Sequence, residues 1–236
     1  MKKLDVFIAG ETVDLCIPTL EFAKNSQWYS WFNNKKLTRY LGMQGLFPYT
    51  ADMQAEYFNS QNQDRLILII SNKSNYMGVV SLSSIDMINK TCQVATIVDP
   101  TIDIQSPYIA LESIALITQY AFDELGINRI TGDNHMKLSG WRRRMELLGY
   151  MVEGIGTNQF VKGREVADAV MVGCIYDTYQ YILSKRSGKL WDSRDLFEKR
   201  FKLLPKEDFT KKLHTFYSDE RSKYYKKLFN LESNNQ

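Results

Sequence analysis

The chain has 236 residues, of which 44% are hydrophobic and 24% are charged, and its formal net charge is +3. This composition excludes a disordered chain, and the length suits one large domain or one ordinary domain with an appendage. Three separated cysteines and two histidines exclude a disulfide framework and leave no expected metal site, and so small a net charge gives no reason to expect nucleic acid as a partner.

The first part of the chain is predicted to hold two short strands followed by helices. Extended stretches at residues 6–8 and 13–17 flank a turn at Gly10 and Glu11. From Thr19 to Leu41, apolar and aromatic residues recur at helical spacing, which predicts one or two amphipathic helices. A further helix is predicted over Ala51–Asn59.

The middle of the chain predicts a run of strands and then a long helix. The strands are expected over Arg65–Ser71, Tyr76–Ile85 and Thr91–Val98. Pro100 ends this run, because proline cannot donate to a sheet. The helix is expected over Pro107–Leu125, with Ser106 as its N-cap and Gly126 closing its C-terminus.

The second half predicts a strand, a helix and a final hairpin. These elements are expected over Arg129–Thr131, Leu138–Leu148 and Met151–Tyr176, with the hairpin turning at Lys162 and Gly163. The whole order predicts an α+β fold, a mixed central sheet flanked by helices. From Lys185 onward, fourteen Lys and Arg stand against eight Asp and Glu, a local charge of +6. We therefore predict one domain over residues 1–182 and a basic helical C-terminal extension over 183–236.

The passage from strand to helix between Val94 and Leu111 is a candidate phosphate site. A helix N-terminus presents unpaired N–H groups and a partial positive charge, both of which favour a phosphate. The preceding loop, Asp99–Ser106, is polar and contains no lysine, so backbone amides would hold the anion there. The alternative is a plain junction between a strand and a well-capped helix.

Gln105–Ala110 resembles the pyrophosphate signature of the GNAT superfamily of N-acetyltransferases, which reads Gln or Arg, two residues, Gly, one residue, then Gly or Ala. Gln105 and Ala110 match, whereas Tyr108 stands where the first Gly is expected. Three other stretches also resemble the family. Residues 28–41 resemble the N-terminal helices of its ribosomal-protein N-terminal acetyltransferase branch. Residues 145–154 resemble its ending "leucine-Gly-aromatic … Glu-Gly", and residues 160–170 resemble its last hairpin. The resemblance covers about residues 5–180.

This resemblance implies a fold, an activity and a set of contacts to acetyl-CoA as co-substrate. Members bind it where two adjacent parallel strands separate, here Thr91–Val98 and Arg129–Thr131. The main chain of Ile97 and Val98 would contact pantetheine, and the pyrophosphate would be bound by Gln105 and by the N–H groups of Tyr108, Ile109, Ala110 and Leu111. Arg142 is a candidate for the 3′-phosphate, or part of a solvated helix face.

The general base is the least determined group. The reaction needs a proton removed from an ammonium and a tetrahedral oxyanion stabilised. His135 is the candidate, because it titrates near neutrality and follows the strand Arg129–Thr131; the alternative is a solvated loop histidine. A carboxylate or ordered water could serve instead, and the carboxylates considered are Asp99, Glu112 and Asp168. Met145 stands where the family often carries an acid tyrosine.

Three functions remain open at this point. The first is N-acetylation of a small-molecule amine, above all a nucleotide-linked amino sugar in surface polysaccharide synthesis, where N-terminal Tyr and Trp would stack on a base or sugar. The second is acetylation of a protein N-terminus or a lysine. The third is a non-catalytic domain that binds acyl-CoA.

The remaining expectations concern location and assembly. The longest aliphatic run, Leu66–Ile70, is five residues, far too short to cross a membrane, and no secretory signal is visible. We therefore expect a cytoplasmic protein. Aromatic residues recur in the basic extension at helical spacing, which favours packing or a homo-oligomer contact over nucleic-acid binding.

Overall fold

The computed structural model describes residues 2–60, 64–102 and 106–231. Its centre is an eight-stranded sheet with the order β1-β2-β3-β4-β5-β6-β8-β7, in which β5 and β6 pair parallel and the other described neighbours pair antiparallel. The strands are β1 Val6–Ala9, β2 Asp14–Cys16, β3 Leu66–Ser71, β4 Tyr76–Asp86, β5 Thr91–Val98, β6 Arg129–His135, β7 Met151–Lys162 and β8 Glu165–Ile175.

Helices cover both faces of this sheet. They are α1 Leu20–Asn25, α2 Trp28–Asn33, α3 Lys35–Thr38, α4 Ala51–Asn59, α5 Ser106–Asp123, α6 Ser139–Glu146, α7 Tyr176–Lys185, α8 Arg194–Lys202, α9 Phe209–Phe216 and α10 Ser222–Phe229, with a π-helical turn at Tyr217–Arg221. Within the described ranges, no helix combines the length and the apolar character that crossing a membrane requires.

Alternation along the strands divides the core into two layers. On β3, Leu68 belongs to the larger cluster under α5, whereas its neighbour Ile69 belongs to the smaller cluster with Trp28 and Trp31 of α2. Successive strand side chains point to opposite faces, so the buried run of β3 supplies both layers. The sheet thus has an α5 face and an α2 face.

Several predicted elements agree with the structure, and two differ. Ala51–Asn59 and Thr91–Val98 have the predicted bounds, and the mixed sheet flanked by helices is confirmed. The stretch from Thr19 to Leu41 forms three short helices instead of one or two, because the backbone is extended at Ser26 and at Asn34, where α1 and α2 end. The strand predicted to stop at Thr131 continues to His135, because β8 pairs with it along that length.

The segment from residue 190 through α8 packs closely against the rest of the chain. Leu190, Trp191 and Phe197 are 0%, 8% and 1% exposed and belong to the larger core cluster. The indole N–H of Trp191 donates to Glu11 at 2.8 Å. The domain boundary at residue 182 stays a prediction, but the segment just beyond it contributes to the common core.

Candidate active site

The two parallel strands of the sheet pair briefly and then separate. Their register runs from Thr91 opposite Arg129 to Gln93 opposite Thr131. Beyond that point β6 pairs with β8, and no described strand pairs with the facing edge of β5 over Val94–Val98. The sheet therefore opens into a V at the position predicted from the sequence.

The free edge of β5 presents the main-chain groups of alternate residues. The Asp99 N–H donates to the carbonyl of Met77 at 2.7 Å. The alternation of an antiparallel pair then turns the polar groups of Ile97 toward β4 and those of Val98 and Thr96 toward the opening. Val98 is thus available for main-chain contact in the V. The main-chain groups of Ile97 face β4, although the residue lines the cleft, and its contact with a ligand stays a prediction.

A cleft of about 370 Å³ occupies the V. Helix α5 contributes Pro107, Ala110 and Ile114, and the segment at and after α3 contributes Tyr40 and Leu41. Its lining is mainly apolar with a few polar side chains, the usual character of a site for a small organic ligand.

The residues predicted to hold a pyrophosphate divide among three locations. Ala110 lines the cleft and is 7% exposed. Ile109 and Leu111 direct their side chains into the larger core cluster, so only their main chain is available to a ligand. Gln105 lies outside the described residues. The small side chain of Ala110 therefore gives a ligand close access to the start of α5.

Tyr108 stands at the N-terminus of α5, where the first N–H groups of a helix have no intrahelical partner. Its ring is 6.5 Å from that of Phe197, edge to face, and 5.1 Å from the guanidinium carbon of Arg194. Arg194 is not among the residues predicted from the sequence, because it lies about ninety residues away along the chain. It adds a positive charge at the helix end that already favours an anion.

A second pocket lies on the α2 face of the sheet, and we call it the inner pocket. It has a volume of about 220 Å³ and is lined by Trp28, Phe32, Tyr57, Arg65, Ser81 and Ser83, among others. It shares Leu41, Ala95, Thr96 and Ile97 with the cleft. The cleft and the inner pocket therefore meet at the unpaired part of β5.

His135 ends β6 beside the cleft, but its side chain is fully buried. The ring lies 4.5 Å from the rings of both Tyr40 and Phe160. Its Nδ1 accepts the Lys137 N–H at 3.1 Å, and its Nε2 is 3.5 Å from a carboxylate oxygen of Glu165. Burial lowers the pKa of His135 and so favours the neutral imidazole. Tyr40 lines the cleft in its place.

Among the lining residues that the structure describes, Asp133 is the carboxylate of the cleft, and it lies two positions before His135 on β6. Its side chain is exposed and accepts the amide N–H of Gln159 at 3.3 Å. It is not among the residues predicted from the sequence, because the strand was expected to end before it. Strand alternation extended by four residues would have placed Asp133 beside the opening.

Arg142, a candidate for phosphate binding, is 1% exposed. Its two terminal nitrogens donate to the main-chain carbonyls of His135 and Met136, both at 2.9 Å. These bonds hold the turn between β6 and α6. These donors are buried and already bonded to the main chain, so the structure gives no support to the predicted phosphate contact of Arg142.

The three carboxylates considered from the sequence lie away from the cleft lining. Glu112 is buried and accepts the Thr12 N–H at 3.0 Å, and burial raises its pKa. Asp168 accepts the Asn158 N–H at 3.0 Å. Asp99 accepts the Thr101 N–H at 2.9 Å. Each of them stabilises a turn or joins two elements.

Lys162, in the last hairpin, joins that hairpin to the segment after α3. Its ammonium donates to the main-chain carbonyls of Thr38, Leu41 and Gln44. Burial lowers its pKa. The segment that it holds lines both the cleft and the inner pocket through Leu41, so the hairpin fixes one wall of the site.

In the described part of the chain, no group of three His, Cys, Asp or Glu side chains is arranged to hold a metal ion.

Comparison with protein families finds a match. The family model described as an acetyltransferase (GNAT) domain matches residues 15–151. This range includes the V, α5 and most of the cleft. A search of curated proteins finds no match for this sequence.

Solved structures share the fold. Spermidine N-acetyltransferase from Vibrio cholerae, in complex with CoA and spermine, is 18% identical, with a TM-score of 0.64 over 72% of this chain and 98% of that one. A GCN5-related N-acetyltransferase from Brucella melitensis is 21% identical, with a TM-score of 0.63 over 82% and 88%. RimJ from Mycobacterium smegmatis, in complex with CoA-disulfide, is 13% identical, with a TM-score of 0.63 over 76% and 91%.

Proposed function

Because the family model covers more than half of it, this chain belongs to the GNAT acetyltransferase family, and we propose that it acetylates the amine of a nucleotide-linked amino sugar. Its general activity, whatever the acceptor, is that of an acetyl-CoA-dependent N-acetyltransferase. One observation carries the proposal: the cleft and the inner pocket are separate cavities that meet at residues 95–97 of β5. Two substrates can thus meet there without competing for space.

Acetyl-CoA is assigned to the cleft. The main-chain groups of Thr96 and Val98 that face the opening would pair with the pantetheine amides, as a neighbouring strand would. The N-terminus of α5, with Arg194 beside it, would bind the phosphates. Ala110 leaves room for the chain between these two regions. The residues present therefore fit this co-substrate.

The transfer requires one bond to form and one to break. The neutral amine nitrogen attacks the thioester carbonyl carbon, the C–S bond breaks, and the sulfur leaves as the thiol of CoA. One proton of the amine must pass to a base, directly or through water, and a proton from that base or from water must reach the leaving sulfur. We assign that role to Asp133, because it is the carboxylate among the described residues that line the cleft; His135, the candidate from the sequence, is buried and its ring packs against Tyr40.

The inner pocket is assigned to the acceptor. Its lining contains the hydroxyls of Ser81 and Ser83, the guanidinium of Arg65 and aromatic rings, and no carboxylate lies among the lining residues that the structure describes. The buried indole N–H of Trp28 has no hydrogen-bond partner there. Hydroxyls and rings suit a sugar, whereas a pocket with a cation and no carboxylate is poorly suited to a polyamine such as spermidine.

The test is a screen for thiol release from acetyl-CoA with a panel of amines. The panel contains nucleotide-linked amino sugars, free amino sugars, spermidine and peptides with a free N-terminus. We expect the highest kcat/KM with a nucleotide-linked amino sugar. A preference for spermidine or for peptides would overturn the proposed class of acceptor, but it would leave the assignment of acetyltransferase activity unchanged. Binding of acetyl-CoA with no acceptor-dependent thiol release would favour a non-catalytic domain.

A further inference from the structure

A third pocket continues from the inner pocket toward the surface, and we call it the outer pocket. It has a volume of about 390 Å³, and its lining includes Phe47, Pro48, Tyr49, Met53 and Gln54. It shares Phe32, Gln44, Tyr57 and Arg65 with the inner pocket. The two pockets therefore form one groove on the α2 face, and Arg65 stands where they join.

Gln54 is the unusual residue of this groove. Its side chain is buried, yet neither the amide nitrogen nor the amide oxygen has a hydrogen-bond partner among the residues that the structure describes. Leaving a buried amide unpaired is costly, of the order of 1–3 kcal/mol by mutational measure. Since Gln54 lines the outer pocket, a ligand that offers one donor and one acceptor would satisfy it.

Arg65 supplies the charge. Its guanidinium donates to the hydroxyl of Tyr57 and lies 5.7 Å from the centre of that ring. Among the described residues, no carboxylate lies within ion-pair distance of Arg65, because none of the ion pairs found there includes it. A planar guanidinium with free donors matches a phosphate group well.

Apolar surface lies next to Gln54. Met43 and Phe47 are 74% and 73% exposed, although both line the outer pocket. Exposed apolar side chains grouped around a polar amide and beside a cation are typical of a site for a flat, polar-edged group with an anion attached. A nucleobase joined to a diphosphate has these three properties.

We infer that the outer pocket and Arg65 form a subsite for the nucleoside diphosphate part of the acceptor. Gln54 bonds to the edge of the base, the side chains of Met43 and Phe47 cover its face, and Arg65 binds the phosphates. This inference rests on the proposed function, since the sugar amine would then reach the inner pocket. The diphosphate of CoA is assigned to the other face of the sheet, so the two anions do not compete.

The test measures binding of UDP to the full chain already saturated with CoA, so that the nucleotide cannot occupy the CoA site. We expect binding by calorimetry, and competitive inhibition by UDP against the acceptor but not against acetyl-CoA. Arg65→Gln should weaken UDP at least 10-fold, and Gln54→Leu should do the same without lowering Tm, because an apolar side chain replaces an unpaired amide. Arg164→Gln, an exposed arginine in the β7–β8 turn that lines none of these pockets, is the matched control.

Two simpler ligands, pyrophosphate and uridine, separate the contributions of Arg65 and Gln54 to binding. Pyrophosphate binding should depend on Arg65 and not on Gln54, and uridine binding should show the reverse. No UDP binding to a CoA-saturated protein, or equal UDP affinity in wild type and both variants, would overturn the subsite. Acetyl transfer to a nucleotide-linked amino sugar with an unchanged acceptor KM in both variants would also overturn it, while leaving the proposed function standing.

Discussion

The ammonium of Lys162 in β7 lies 3.0 Å from the carbonyl oxygen of Leu41, although the two residues are 121 positions apart in the sequence. Leu41 lines both the cleft and the inner pocket. The last hairpin, which contacts neither pocket through Lys162 itself, thereby positions a wall that both substrates would touch. Lys162 is a positioning residue in this arrangement.

Replacing Lys162 by Met should loosen that wall. The change removes a charged donor from three carbonyls at once, and hydrogen bonds to charged groups contribute about 1.5–3 kcal/mol. We expect a lower Tm and an acceptor KM that rises several-fold, with kcat changed less. Steady-state kinetics with each substrate varied will measure this. Lys137→Met, which removes an exposed partner of Glu165, is the control, and an acceptor KM equal in both variants would contradict the positioning role.

Ala110 offers a test of the cleft. Its side chain lines the cleft beside the start of α5, so Ala110→Leu should fill space that the proposed binding mode gives to acetyl-CoA. We expect the KM for acetyl-CoA to rise 10-fold or more, while the acceptor KM changes little. Ala110→Ser, which adds one atom, should stay within a few-fold of wild type. An unchanged affinity of Ala110→Leu for acetyl-CoA would mean that the co-substrate binds at another site.

Local signals predicted much of this fold. The bounds of β5 and α4 follow from a nearby proline, from alternation and from a capping threonine, Thr50, all within a few residues. The end of β6 could not be predicted in this way. Gly132, Asp133 and Asn134 are poor strand formers, and they are extended because β8, which comes some forty residues later, pairs with them.

The site was less predictable than the fold. Three consecutive arginines indicate a solvated helix face, yet Arg142 is buried, since its donors meet carbonyls that only the folded turn brings together. The V itself was predictable from the resemblance to a family. The inner and outer pockets could not be predicted. They are lined by α2, the loop after α3 and the start of β3, and no local sequence pattern indicates that these segments come together.

Truncation tests the C-terminal extension. Residues 222–231 have no buried side chain, so ending the chain at residue 221 should leave Tm and acetyl-CoA binding near wild type. Ending it at residue 186 removes Trp191 and Phe197 from the core, and losing a buried aromatic typically costs 3–5 kcal/mol. It also removes Arg194. We expect that shorter chain to be strongly destabilised in thermal unfolding. Equal stability of the two truncations would place the domain boundary at residue 182 after all.

The burial of His135 predicts an acid-sensitive stability. Its pKa is lowered in the folded chain, whereas in the unfolded chain a histidine has a pKa of about 6.5. The unfolded state therefore binds more protons, so stability falls as pH drops below about 6.5 and levels off below the folded pKa. Glu165 opposes this shift, while Lys137 and Arg39 add to it. His135→Gln should flatten the fall in Tm between pH 7 and pH 5, and His214→Gln, with an exposed histidine, should not.

The last prediction separates two candidates for the base. Asp133→Asn keeps an oxygen that can accept from Gln159 but removes the carboxylate, so we expect kcat to fall roughly 10²–10⁴-fold, the usual contribution of a positioned acid–base group. The KM for acetyl-CoA should change little. His135→Gln should retain most of the turnover at pH 7, since its ring lies behind Tyr40. The opposite result, with kcat lost in His135→Gln and kept in Asp133→Asn, would return the role to His135. Near-normal turnover in both variants would leave a water-relayed proton path as the remaining account.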